Sequence, residues 1–109
     1  MATTLKVLGQ SAPSATTETT LYTVPAATST VASSLVVANR GAVADAFRVS
    51  VSVAGAATAN KDYLFYDLPI DANDTFIATI GITLATTDVV RVYAGTTALS
   101  FSLFGQENT

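Results

Sequence analysis

Alternation of apolar and polar side chains is the feature that most constrains this chain. In "FRVSVSVAG", Phe47, Val49, Val51 and Val53 fall on one side and Arg48, Ser50 and Ser52 on the other. "ALSFSLFG" repeats the pattern, with Leu99, Phe101 and Leu103 apolar and Ser100 and Ser102 opposite. Successive side chains of a strand point to opposite faces, so a period of two means strands with one face on a core. The same rule finds about eight strands, at roughly 3–9, 20–24, 30–39, 45–54, 62–68, 74–82, 88–94 and 97–104. Turn-forming runs such as "PAATS", "NRGAVAD", "PIDAND" and "AGTT" separate them.

This spacing predicts one all-β domain over residues 1–109: a single antiparallel β-sandwich or jelly-roll-like fold, with a small barrel as the alternative. No helix is demanded, because the Ala-rich stretches "ADAFRV" and "AGAATANKD" are interrupted by β-branched neighbours and Gly55. Pro25 and Pro69 stand at strand ends, where a missing ladder donor is tolerated. Residues 1–20 read as an N-terminal strand followed by a flexible linker, "SAPSATTETT". That strand either lies beside the last one and closes the sandwich, or is exchanged with another copy. Gly9-Gln10 and Gly105-Gln106 are expected to mark where the chain leaves its sheets.

Only 12% of the 109 residues are charged, against about 25% in an average globular domain. Thr, Ser and Ala must therefore cover the surface. A net charge of −3 with five scattered Lys and Arg offers no basic patch for nucleic acid. No apolar run approaches a membrane span, and Met1-Ala2-Thr3-Thr4 lacks a charged leader, so synthesis in the cytoplasm is expected. Without Cys there is no disulfide framework.

Catalytic chemistry has little to work with, and no enzyme activity and no cofactor are expected. The chain has no His, the usual general base near neutral pH, and no Cys nucleophile. Its six Gly are dispersed singly rather than forming a phosphate cradle. Asp71, Asn73 and Asp74 form a candidate site for Ca²⁺, a cation that takes oxygen ligands. However, Phe76 and Ile82 stand where a calcium loop carries its Gly and Glu, and a plain Asx turn is the competing reading. Asp67 and Asp71 could in principle pair as glycosidase carboxylates.

Arg40-Gly41 reads as a hairpin turn with positive φ at Asn39 or Gly41. Arg48 reads as a solvated position, with a salt bridge to a neighbouring strand or to another subunit as the alternative. The tyrosines Tyr22, Tyr63, Tyr66 and Tyr93 are either structural or a sugar-stacking platform.

Two segments are apolar on both faces. "YLFYDLP" sets Tyr63 and Phe65 against Leu64, Tyr66 and Leu68, and "TFIATIGI" sets Ile77 against Phe76, Ala78, Ile80 and Ile82. A sheet of so small a sandwich has one inner face, so some of these residues are expected to meet another chain. The candidate interface is Tyr63, Leu64, Phe65, Tyr66, Leu68 and Ile77.

Leu21-Tyr22-Thr23-Val24-Pro25, Ala38-Asn39-Arg40, Tyr66-Asp67-Leu68-Pro69-Ile70 and Ser100-Phe101-Ser102-Leu103-Phe104-Gly105 also carry a resemblance. From about Thr19 onward the chain resembles a group of small structural or virion-associated proteins of tailed bacteriophages. The resemblance implies a virion component, either a capsid decoration (cement) protein on the head or a part of the tail, neck, baseplate or fibre. It also implies a major capsid protein or another virion protein as partner, and assembly as a homo-oligomer, a trimer among the options. A carbohydrate-binding module for host recognition is the further alternative.

Overall fold

The computed structural model describes residues 2–109, and Met1 lies outside them. Nine strands run in chain order: β1 (Thr3–Ser11), β2 (Thr19–Thr23), β3 (Ser29–Asn39), β4 (Asp45–Ser52), β5 (Tyr63–Ile70), β6 (Thr75–Ala78), β7 (Ile82–Leu84), β8 (Val89–Ala94) and β9 (Leu99–Asn108). They form two antiparallel sheets. The first has the order β1-β9-β3-β6, with β7 also on β3, and the second has the order β2-β8-β4-β5.

The split between β6 and β7 falls inside the segment expected as a single strand. Both pieces pair with β3, Ala78 with Leu35 and Ile82 with Ala32, so they are one strand interrupted around Gly81. With that strand counted once, each sheet alternates early and late strands, 1-8-3-6 facing 2-7-4-5. This is the jelly-roll arrangement of two Greek keys. The expected all-β fold is present, and β1 lies beside β9 of its own chain.

The alternating residues build the core as anticipated. Phe47, Val49, Leu99, Phe101 and Leu103 are all buried. Phe47, from the second sheet, meets Phe101, from the first, ring to ring at 6.0 Å. Phe65 and Phe76 pack 5.4 Å apart and close the side of the sandwich where β5 and β6 lie. Burying one such ring contributes about 1.5–3 kcal/mol, so this four-ring cluster is a principal tie between the layers.

Several local expectations are corrected. Neither Gly-Gln pair marks an exit, since β1 runs on to Ser11 and β9 to Asn108. Both glycines instead stand where another backbone comes too close for a Cβ: Leu21 at Gly9, and Val31 and Ala32 at Gly105. Asn39 and Gly41 are not in the left-handed region, and residues 40–44 are not a hairpin but the passage from β3 in one sheet to β4 in the other. The buried Asn39 side chain holds that passage, donating to the carbonyls of Val43 (2.9 Å) and Asp71 (3.2 Å) and accepting from Gly41 N–H at 2.9 Å. The stretch 11–20 is no loose linker. Pro13 is buried, Thr16 N–H donates to the Ala94 carbonyl at 2.8 Å, and Glu18 accepts from Thr58.

Val53, expected inside, is 72% exposed because the chain leaves β4 in a 3-10 turn at Val53–Gly55. A second such turn follows at Asn60–Asp62. Ser50 and Ser52 do point away from the core, yet both are buried. Residues 53–62 fold back over them, held by Arg91, whose guanidinium donates to Ser52 Oγ and the Ala56 carbonyl at 2.8 Å each. Asp88 anchors the same end, accepting from the N–H groups of Ala54 and Ala85 at 2.9 Å each.

Candidate functional site

The doubly apolar β5 segment resolves into two populations because the strand carries two bulges. Opposite β4, Leu64 is skipped between the pairs Ser50–Tyr63 and Val49–Phe65, and Tyr66 and Asp67 together oppose Arg48. Asp67 takes φ 51°, the backbone signature of the second bulge. The extra residues reset the alternation. Phe65 and Leu68 both pack against the core, so these two are removed from the candidate interface. Leu64 (43%) and Tyr66 (58%) remain exposed on the outer face of the second sheet, with half-buried Tyr63 beside them. Ile77 is 64% exposed, but it lies on the outer face of the other sheet. The six candidates therefore do not form one patch.

Around Tyr66 the side chains form a compact polar–aromatic cluster. Tyr63 and Tyr66 meet edge to face at 4.9 Å, and the Arg48 guanidinium lies 4.2 Å from the Tyr66 ring centre and 4.3 Å from that of Tyr93. Arg48 Nε donates to Asp67 at 2.7 Å, which raises the guanidinium pKa further. The salt-bridge alternative for Arg48 is thus the one observed. Asp67, one of the two carboxylates expected as a possible pair, is thus engaged with Arg48. The tyrosines do not form a flat platform: Tyr63 and Tyr66 are nearly perpendicular, and Arg48 lies against Tyr66. Asn60, Tyr63 and Tyr66 line a hollow of about 260 Å³.

The calcium candidate is a turn. Asp74 N–H donates to the Asp71 carbonyl at 3.3 Å, Asn73 has φ 55°, and the Asp74 carboxylate accepts from Thr75 N–H at 2.8 Å. Among the described residues no three of His, Cys, Asp or Glu come together as a group that could hold a metal ion.

Tyr22, the fourth tyrosine, is buried in a separate device. Its hydroxyl donates to Glu107 at 2.6 Å and, its proton thus committed, accepts from Thr30 at 2.8 Å. Lys6 pairs with the same carboxylate at 3.3 Å. The Tyr22 bond, then Lys6, hold Glu107 below the usual carboxylate range, while burial and the neighbouring charge push Tyr22 up to about 12. The sign follows from linkage. A depressed carboxylate gives stability above its unfolded pKa that is lost as pH falls through its folded value, and a raised phenol gives stability below 10.0 that is lost as pH rises through about 12. Glu107→Gln should therefore cost about 1 kcal/mol near neutral pH and lose its disadvantage in acid. Melting curves from neutral pH down to about pH 2, well below the ordinary Glu range, check this; an equal deficit throughout would refute the latch.

The larger uniform surface is the outer face of the first sheet, which the sequence did not single out. Ladder partners share a face, so Phe104 places Val7 and Ser34 outward, Gln106 places Leu5 and Val31 outward, and Ser102 and Val36 lead on to Ile77. The outward ladder positions from Thr3 on β1 to Ile77 on β6 carry no charged side chain of their own, but the Arg40 guanidinium donates to Ser100 Oγ at 2.7 Å at one end of the face and Lys6 lines its depression. Leu5 is 77% and Val7 47% exposed, and with Val31 and Phe104 they line a shallow depression of about 410 Å³. Alternation marks Leu5 and Val7 as sharing a side but does not say which side, because the bulge at Leu8 turns Leu8 inward. Comparison with protein families, with curated proteins and with solved structures finds no match for this chain.

Proposed function

We propose that this chain is a structural protein of a tailed-bacteriophage particle, seated on the outside of the head as a decoration (cement) protein, and that it works by adhesion rather than catalysis. The observation that carries the reading is the sparsely charged, partly apolar outer face of a jelly-roll sheet, joined to the sequence resemblance through the Leu21–Pro25, Tyr66–Ile70 and Ser100–Gly105 segments. Viral capsid domains use the same two-sheet arrangement, although lectins share it, so the fold adds support only by analogy. Burial of such a face against a major capsid protein would favour the assembled shell by mass action, since the protein binds that state and not its dissociated subunits. The protein would be made in the host cytoplasm and carried in the virion.

Copy number tests the proposal. Quantitative gels of purified particles of the encoding phage should show on the order of hundreds of copies, in keeping with saturation of a lattice of sites. A few to several tens would move the protein to tail, neck or baseplate, and absence from the particle would end the virion reading. The Asn60–Tyr63–Tyr66 hollow favours a second reading, glycan recognition. Its test is binding to host polysaccharide, with Tyr66→Ala expected to abolish it and leave the fold intact.

A further inference from the structure

We infer that β1 is an exchangeable arm: the strand leaves the edge of its own sheet and takes the same seat on a second copy of this chain, which returns its own β1. The exchange concerns the free protein and stands apart from the particle reading.

β1 is lightly held for a strand of its length. It runs along the edge of its sheet and pairs with β9 alone. Of its nine residues only Leu8 is buried, and Leu5 and Val7 lie exposed. Beyond the backbone ladder, its ties are the Lys6–Glu107 pair at 3.3 Å, the Thr3–Asn108 bond at 2.9 Å and a long Gln10–Ser102 bond at 3.4 Å. Elements with few buried apolar contacts open at a fraction of the global unfolding free energy.

The connection to β2 stores strain that opening releases. Thr16 has φ 52°, a left-handed conformation that is an outlier for a β-branched residue. Straightening this turn returns Thr16 to extended backbone, at the loss of its N–H bond to the Ala94 carbonyl. Residues 12–18 then reach up to about 24 Å, beyond the 20 Å short axis of the molecule. Short hinges under strain favour exchange.

The vacated seat selects its occupant. Its Glu107 carboxylate pairs with a lysine, and the Leu21 carbonyl comes so close that only glycine fits at the position of Gly9. Between those two points Leu8 turns inward. Lys6-Val7-Leu8-Gly9 meets all three conditions, and no other strand of the chain contains a lysine. The seat therefore accepts β1, and the β1 of another copy is the same peptide. Reciprocal exchange restores these contacts in both copies and closes on a twofold axis, leaving no free arm to propagate. Monomer and dimer then differ mainly at the two hinges.

The test uses the full chain, as wild type and with an engineered disulfide from Gln10→Cys and Ser102→Cys. These are ladder partners on β1 and β9 in a protein with no cysteine of its own. Samples are refolded from urea over a concentration series, separated by size with light scattering, oxidised and run on non-reducing gels; circular dichroism verifies the fold. Wild type should give monomer and a dimer whose share rises with concentration. In the disulfide variant the monomer fraction should close its bond within one chain, and the dimer fraction should become covalently dimeric. Thr16→Gly removes the penalty of the closed hinge and should weaken dimerisation roughly tenfold or more through the two hinges. Thr16→Pro, whose φ is fixed near about −65°, should strengthen it. A wild type that stays monomeric at every concentration overturns the inference. So does a dimer whose disulfides close within each chain, or a Thr16→Gly chain that dimerises as tightly as wild type. Should Thr16→Pro fail to fold, the disulfide and glycine variants still decide.

Discussion

Phe47→Ala is expected to lower the unfolding free energy by about 3–5 kcal/mol, the range for removing a fully buried aromatic side chain. Phe47 has no exposed surface and touches three other rings, Phe65 at 6.2 Å, Phe76 at 5.4 Å and Phe101 at 6.0 Å. Those partners come from both sheets, so the cavity opens between layers that β-ladders hold in place and that cannot readily collapse. In a domain this size each kcal/mol shifts the melting temperature by about 4–8 °C, so a fall of at least about 12 °C should be read by calorimetry. A loss under about 1 kcal/mol would mean that the ring cluster does not tie the sheets together.

Gly105→Ala should be nearly as damaging, by about 2–4 kcal/mol, because an added atom in a packed site forces backbone shifts. The new Cβ would collide with the Val31 carbonyl and stand 2.8 Å from Ala32 Cα, both backbone atoms of β3 that cannot swing aside. Strain is confined to that contact, since Gly105 is not in the left-handed region. Gly81 supplies the control. Nothing lies within 4 Å of its Cβ position, and Gly81→Ala should be neutral or stabilising by up to about 1 kcal/mol through the unfolded chain. Urea titration of both variants checks the contrast; equal effects would show that close approach is not what requires Gly105.

Much of the layered architecture was legible because it rests on a property each residue carries locally. Phe47, Val49, Leu99, Phe101 and Leu103 could be placed inside from alternation alone, and the turn runs gave the strand spacing. Legibility failed wherever a strand gained a residue. β5 reads as apolar on both faces only if its period is unbroken. The bulge at Tyr66–Asp67 brings Leu68 to the core face beside Phe65, and the bulge at Leu64 puts Tyr63 on the outer face with Tyr66. Ser50 and Ser52 show a different failure: their direction was readable, but not the return of residues 53–62 over them. Nor does any local signal in "GQ" report that a distant backbone, Leu21 or Val31, crosses at that glycine.

The candidate surface divides along the same line. The exposure of Leu64, Tyr66 and Ile77 follows from surplus apolar residues in a thin fold, a matter of composition and pattern. Their separation onto opposite outer faces, and the gathering of Leu5, Val7, Val31, Phe104 and Ile77 on one sheet face, come from strand order, which joins residues about a hundred positions apart.

By itself, then, the sequence determined that this chain makes two-faced strands, buries a Phe- and Val-rich core and carries few charges, because periodicity and composition are local quantities. Only the tertiary structure decided which strands are neighbours, where bulges reset the faces and which face gathers the exposed apolar side chains. Those outcomes depend on non-local backbone pairing, and no window along the chain contains both partners.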